Sequence, residues 1–121
     1  MTPIETFWNV TAPKLAEKWP DVVWIDKDGD FSQMVVYCAF SEYESCCETG
    51  EQPDLQFIHD IAEAIGAHVW ASRTGANDSA PWTGELTDAE QCMVALIDGG
   101  FTSAPLAALA ALNAAVQELT K

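Results

Sequence analysis

The chain has 121 residues, 49% of them hydrophobic and 20% charged, which suits one hydrophobic core of ordinary size and excludes disorder along the whole length. Its charge is one-sided: 19 Asp and Glu against 5 Lys and Arg give a formal net charge of -14. Such a field repels nucleic acid and anionic membrane and attracts basic surfaces, so neither direct nucleic-acid binding nor membrane association is expected.

The N-terminus, Met1-Thr2-Pro3-Ile4-Glu5, lacks the basic region and apolar run of a secretory leader, and it carries helix-start signals instead. Thr2 is an N-cap, Pro3 fits the first helical position, and Glu5 completes a capping box. Ile4, Phe7 and Trp8 form the apolar stripe of this helix. Pro13 breaks or kinks it, with Thr11 capping a second turn that carries Leu15 before Trp19-Pro20 ends the segment. Val22 to Ile25 and Gln33 to Phe40 are β-branched and aromatic runs around Asp26-Lys27-Asp28-Gly29-Asp30, the pattern of a β-hairpin. Its second run is apolar at both parities, which predicts cover on both faces.

Ser41 to Pro53 is polar, rich in Glu, and predicted to be a connecting loop with Cys46-Cys47 in its middle. From about Pro53 to Ile65 the spacing of Leu55, Ile58, Ile61, Ala62 and Ile65 predicts a helix closed by Gly66. His68 to Ser72 reads as a third strand, and Gly75 to Gly84 as a long loop. Thr87-Asp88-Ala89-Glu90 looks like a second capping box, opening a helix whose stripe is Ala89, Cys92, Met93, Leu96 and Ile97 and which ends at Gly99-Gly100. The last helix runs from about Ala104 to Leu119, with Leu106, Leu109, Leu112, Val116 and Leu119 buried and seven alanines allowing close packing. Its apolar core is broken by Asn113 and too short to span a bilayer. The expected architecture is a single α+β domain over residues 1–121, in the order α-β-β-α-β-α-α. It has a three-stranded, mainly antiparallel sheet made of the hairpin plus one strand, covered by helices. No internal repeat is evident, and a cytoplasmic protein with Cys38, Cys46, Cys47 and Cys92 reduced is expected.

Chemistry-bearing patterns are weak. Asp26, Asp28 and Asp30 alternate like the first ligands of an EF-hand loop, but Phe31 stands where that loop needs glycine and Tyr37 where it needs the bidentate glutamate. Cys46, Cys47, His59 and His68 lack the spacing of a zinc set. No Gly-x-Ser-x-Gly, nucleophilic cysteine signature or phosphate loop is present, so no enzyme activity, metal or cofactor is implied. Trp8, Trp19, Trp24 and Trp70 fall in or beside periodic segments and are expected in the core. Trp82, in the expected loop, is either an exposed interface anchor or folded back onto the sheet.

The acids are what remain. Up to residue 27, Glu5, Glu17, Asp21 and Asp26 stand against Lys14, Lys18 and Lys27; beyond it the other fifteen acids face only Arg73 and Lys121. Glu42, Glu44, Glu48, Glu51, Asp54, Asp60 and Glu63 fall within 22 residues that contain no Lys or Arg. With Asp26, Asp28 and Asp30 they are expected to form one or two negative surfaces. Carboxylates at phosphate-like spacings fill the Lys- and Arg-lined groove of a nucleic-acid-binding protein without offering a substrate. In size, acidity and lack of a catalytic motif the chain resembles DNA-mimic inhibitors, a group that includes phage anti-restriction and anti-CRISPR proteins. The resemblance implies a non-enzymatic protein docking on a basic partner in the cytoplasm, that of the host if phage-encoded, through those acids and Trp82. The alternative is a homodimeric assembly module built on the alanine-rich helix, with acidity serving solubility.

Overall fold

The computed structural model describes residues 2–28, 33–40, 43–48, 50–73, 79–87 and 93–121, with residues 25–28, 33–40, 43–46, 93–96, 98 and 99 described through their backbone. The N-terminal segment is helical in three pieces: α1 (Pro3–Thr6), a π-helical turn (Phe7–Thr11) and α2 (Ala12–Lys18). The Thr2 hydroxyl caps α1 by accepting from the Glu5 N–H at 3.2 Å. Pro13 interrupts the helix as its chemistry requires. It has no N–H for the Asn9 carbonyl and its ring crowds that group, so the turn before it is widened until the Ala12 N–H reaches back to the Phe7 carbonyl. Thr11 makes no side-chain cap for α2; its hydroxyl lies buried and donates to Asn113 Oδ1 at 2.7 Å.

Strands β1 (Val23–Asp28), β2 (Gln33–Phe40) and β3 (Tyr43–Glu48) form an antiparallel meander in the order β1-β2-β3. The hairpin is present as its pattern predicts; its tip, with Gly29 and Asp30, lies outside the described residues. The segment after it is a strand and not only a loop. Val36 pairs with Cys47, which is buried, and Cys38 pairs with Ser45, so Tyr43, Ser45 and Cys47 alternate with Glu44, Cys46 and Glu48 in the period-2 pattern of a half-covered strand.

Helix α3 (Leu55–Ile65) is capped by Asp54, whose carboxylate accepts from the Phe57 N–H at 2.8 Å, and closed by Gly66 in the left-handed region at φ 74°. It buries Phe57, Ile58, Ile61, Ala62 and Ile65 and packs on β2 and β3. The strand expected to complete the hairpin's sheet, β4 (His68–Arg73), instead leads a second antiparallel meander with β5 (Trp82–Thr87) and β6 (Met93–Phe101). Two sequence expectations are corrected here. The expected loop of residues 75–84 gives way to β5 from Trp82 onward. The expected helix through Met93 and Ile97 is β6, with Thr87 at the end of a strand rather than capping a helix. Residues Asp88, Ala89, Glu90 and Cys92 lie outside the described residues.

Helix α4 (Ala104–Leu119) is capped by the Ser103 hydroxyl and spans the expected residues. Of the leucines and valine expected inside, however, Leu109, Leu112 and Val116 are buried, Leu106 is half-buried, and Leu119, in the last turn beyond the packed layers, is exposed. Apolar on nearly every side, it is the central helix of the fold. Its residues from Ala107 to Asn113 are all buried; it crosses all three strands of the second sheet and also meets α1, the π turn and α3. Asn113 is polar inside this packing and is satisfied: it accepts from Thr11, and its amide donates to the Pro3 carbonyl at 3.0 Å. Contact with β5 is closest at Gly84, where an added Cβ would stand 2.4 Å from the Ala107 carbonyl oxygen and 3.3 Å from the Ala111 Cβ. One hydrophobic cluster draws on both halves of the chain, from Phe7 and Val23 to Leu86 and Val116. The class is α+β, in the order α-β-β-β-α-β-β-β-α when the N-terminal helical pieces are counted as one.

The glycine at the α4 crossing makes a direct test. Gly84→Ala pushes a methyl into a backbone carbonyl that no rotamer change can move, and is expected to destabilise the fold by about 2 kcal/mol or more. Urea unfolding is expected to show a lower midpoint at unchanged slope. Adding Ala107→Gly should not rescue it, because the clash is with the carbonyl and not with the alanine methyl.

Candidate acidic interface

Helix α2 packs on β1 and α3 packs on β2 and β3, so the first sheet has a helix-covered face and an opposite one. Side-chain burial identifies them. Val23 and Cys47 are buried, whereas their strand neighbours Trp24 and Glu48 are exposed. The register extends this assignment: Asp26 pairs with Val35, which pairs with Glu48, Asp28 pairs with Gln33, and Glu44 pairs with Ala39. Directly opposed residues share a face in an antiparallel sheet, so positions 26, 28, 44 and 48 fall on the side of Trp24, away from α2 and α3. Neighbouring positions on this face stand about 7 Å apart along a strand, and β1 and β3 about 10 Å apart across it.

A second group continues from the end of β3. Glu48, Glu51 and Asp54 are exposed where the chain turns from β3 into α3. The turn is pinned from below: the Trp8 indole N–H donates to the Glu51 carbonyl at 3.0 Å, and the Glu51 N–H donates to the Glu48 carbonyl at 3.1 Å. Asp54 is committed to the α3 cap, and half-buried Asp60 accepts from the Gln56 amide at 2.9 Å. Glu63 is exposed and lines a cleft between α3 and β4. Asp30 and Glu42 lie outside the described residues.

The acids therefore do not gather on a single surface. One set occupies the open face of the first sheet and runs onto the β3–α3 turn, while Asp60 and Glu63 belong to the helix layer on the other side of that sheet. Trp82 joins neither. It opens β5, opposite Arg73 and Phe101, and is half-buried in the second sheet rather than carried by a loop.

Of the five basic residues, Lys27 stands on β1 between Asp26 and Asp28, Arg73 ends β4, and the other three lie near α2 and the end of α4. Lys14 and Lys18 of α2 line a groove with Glu17 and Thr120, Lys18 donates to the Leu119 carbonyl, and Lys121 pairs with Glu118 at 2.9 Å. Ammonium groups at the C-terminus of α4 suit its negative dipole end. Among the described residues no group of three or more His, Cys, Asp or Glu is placed to hold a metal ion. Cys46 and Cys47 alternate across β3, and the His59 ring meets Trp70 edge-on at 6.0 Å.

Trp24 and Trp70, expected in the core, are exposed at 36% and 46%. The signal was the Val-Trp pair that begins each meander. In a one-sided strand only one residue of such a pair faces the core, and Val23 and Val69 take that place. The chain matches no protein-family model, no curated protein and no solved structure with which it was compared.

Asp54 separates capping from charge. Asp54→Ala removes the Phe57 N–H acceptor and is expected to cost about 1 kcal/mol, whereas Asp54→Asn keeps a good cap and stays near wild-type stability while losing the charge. Thermal unfolding of the two variants checks this. It also fixes Asn as the substitution to use when the charge alone is in question.

Proposed function

We propose that this protein is a non-enzymatic inhibitor or binding protein that docks its carboxylates onto a basic, nucleic-acid-binding surface of a protein partner, in the manner of anti-restriction and anti-CRISPR proteins of phages. The observation that carries the reading is the face of the first sheet turned away from α2 and α3, to which the register assigns positions Asp26, Asp28, Glu44 and Glu48. A sheet fixes the separations of these charges in advance, so less ordering entropy is lost on docking than a disordered acidic tail would lose. Binding displaces counterions from both partners and fills the groove that the nucleic acid would enter. The homodimer alternative rested on the alanine-rich helix, and that helix is spent inside the fold, buried from Ala107 to Asn113.

The test is recovery of partners on the tagged protein from a cell lysate, washed at rising salt. The expected result is one nucleic-acid-processing protein or complex, released by salt and competed by DNA or RNA. The combined variant Asp26→Asn, Asp28→Asn, Glu44→Gln and Glu48→Gln is expected to weaken that complex at least about tenfold and to flatten its salt dependence. It should fold at least as well as the parent, because four mutually repelling charges are gone. A partner that carries no basic surface, or one held equally well by this variant, would sink the proposal.

A further inference from the structure

The cleft between α3 and β4 has a composition of its own. It is lined by His59, Ala62 and Glu63 from the helix, by Ala67, and by His68, Val69 and Trp70 from the strand. Its volume is about 90 Å³. That is roughly three times the share of one water in the liquid and well under the ~300 Å³ at which pockets for small-molecule ligands begin. The space thus suits the head of one side chain. Trp70 is the most exposed large hydrophobic residue among those described, and its indole N–H donates to the Thr87 hydroxyl at 3.2 Å, which holds the ring in place across the edge of the sheet. Glu85 pairs directly with Trp70 and shares its face, and exposed Glu63 stands on the helix side. No Lys or Arg lines the cleft.

We infer that this cleft receives an arginine side chain of the basic partner, its guanidinium stacked on Trp70 and paired with Glu63. A fixed indole face attracts a cation through its quadrupole, and a carboxylate beside it matches the guanidinium fork. Arginine is favoured over lysine because its planar, weakly hydrated head stacks on an aromatic ring, whereas the ammonium is a compact and strongly hydrated point charge. The inference rests on the reading of a basic partner given above, but it uses residues of the helix layer and the second sheet rather than the open acidic face.

The test uses the whole chain, labelled with 15N, and two probes, a hexa-arginine and a hexalysine peptide, at low salt. The five indole N–H signals are followed, and Trp70→Phe identifies the one that belongs to Trp70. With hexa-arginine the Trp70 signal is expected to move, Glu63→Gln to weaken the binding read from that signal about threefold to tenfold, and hexalysine to bind several-fold more weakly. Glu63 is exposed, so its Gln variant should keep the free protein's spectrum and serve as the control for folding. A Trp70 signal that stays still, an unchanged affinity in Glu63→Gln, or equal binding of the two peptides overturns the inference. The variant neutralised on the sheet face should keep the Trp70 response. If the lysate yields no basic partner while Trp70 still responds to arginine, the partner reading fails and the cleft assignment stands.

Discussion

The rest of the structure depends on the contact of α4 with β5 at Gly84. A helix approaches a sheet this closely only where neither side interposes a side chain, and here glycine faces the Ala107 carbonyl with Ala111 one turn on. From that crossing α4 spans the second sheet, and its other sides receive the N-terminal helical pieces and α3, which in turn cover the first sheet. The small residues of α4 therefore set the separation of every layer. Asn113 fixes its rotation: it can accept from Thr11 and donate to the Pro3 carbonyl in one register only, and losing that register would leave buried polar groups unpaired.

This arrangement lets the protein carry a net charge of -14. Two like charges about 7 Å apart repel in water by roughly 0.6 kcal/mol before screening, and beyond a Debye length of about 8 Å the effect fades quickly. Each neighbour on the open sheet face is thus a mild load, and the core is made of Phe, Leu, Ile, Val and Ala with few polar groups to satisfy. Some acids take part in the fold, as Asp54 does in capping α3, while positions 26, 28, 44 and 48 stand on the sheet face away from the helices.

Most of the helices and the hairpin were legible because their signals are local. Thr2 caps the first helix, Gly66 closes α3, and Pro13 interrupts the N-terminal helix, each within a turn of the residues it governs. What was not legible depended on partners distant in sequence. Gly84 reads as a loop residue until α4 is laid across it, so β5 was hidden. Met93, Leu96 and Ile97 fit a helical spacing as well as a strand, and a short apolar run cannot distinguish the two. The strand in Tyr43–Glu48 was concealed because Glu44, Ser45 and Glu48 give the segment the polar composition of a loop. For the acids, composition gave the sign of the field, but only the register of β1, β2 and β3 separates those on the open sheet face from those on α3.

The same topology explains why the exposed aromatic residues fall where they do. The chain runs twice through a helix followed by a three-stranded meander, and the first strand of each meander carries a valine buried in the core followed by a tryptophan turned away from it. The order of elements repeats although the sequence, apart from that Val-Trp pair, does not. On the proposed reading of a basic partner this matters, because carboxylates alone give rapid encounter with any cationic groove and little choice among them. Choice requires contacts whose geometry most grooves fail to meet. An indole held by its own hydrogen bond in a cleft that it shares with Glu63 is such a contact. On the proposed reading, the acidic face sets how fast a partner is found, and Trp70 with Glu63 sets which partner is kept.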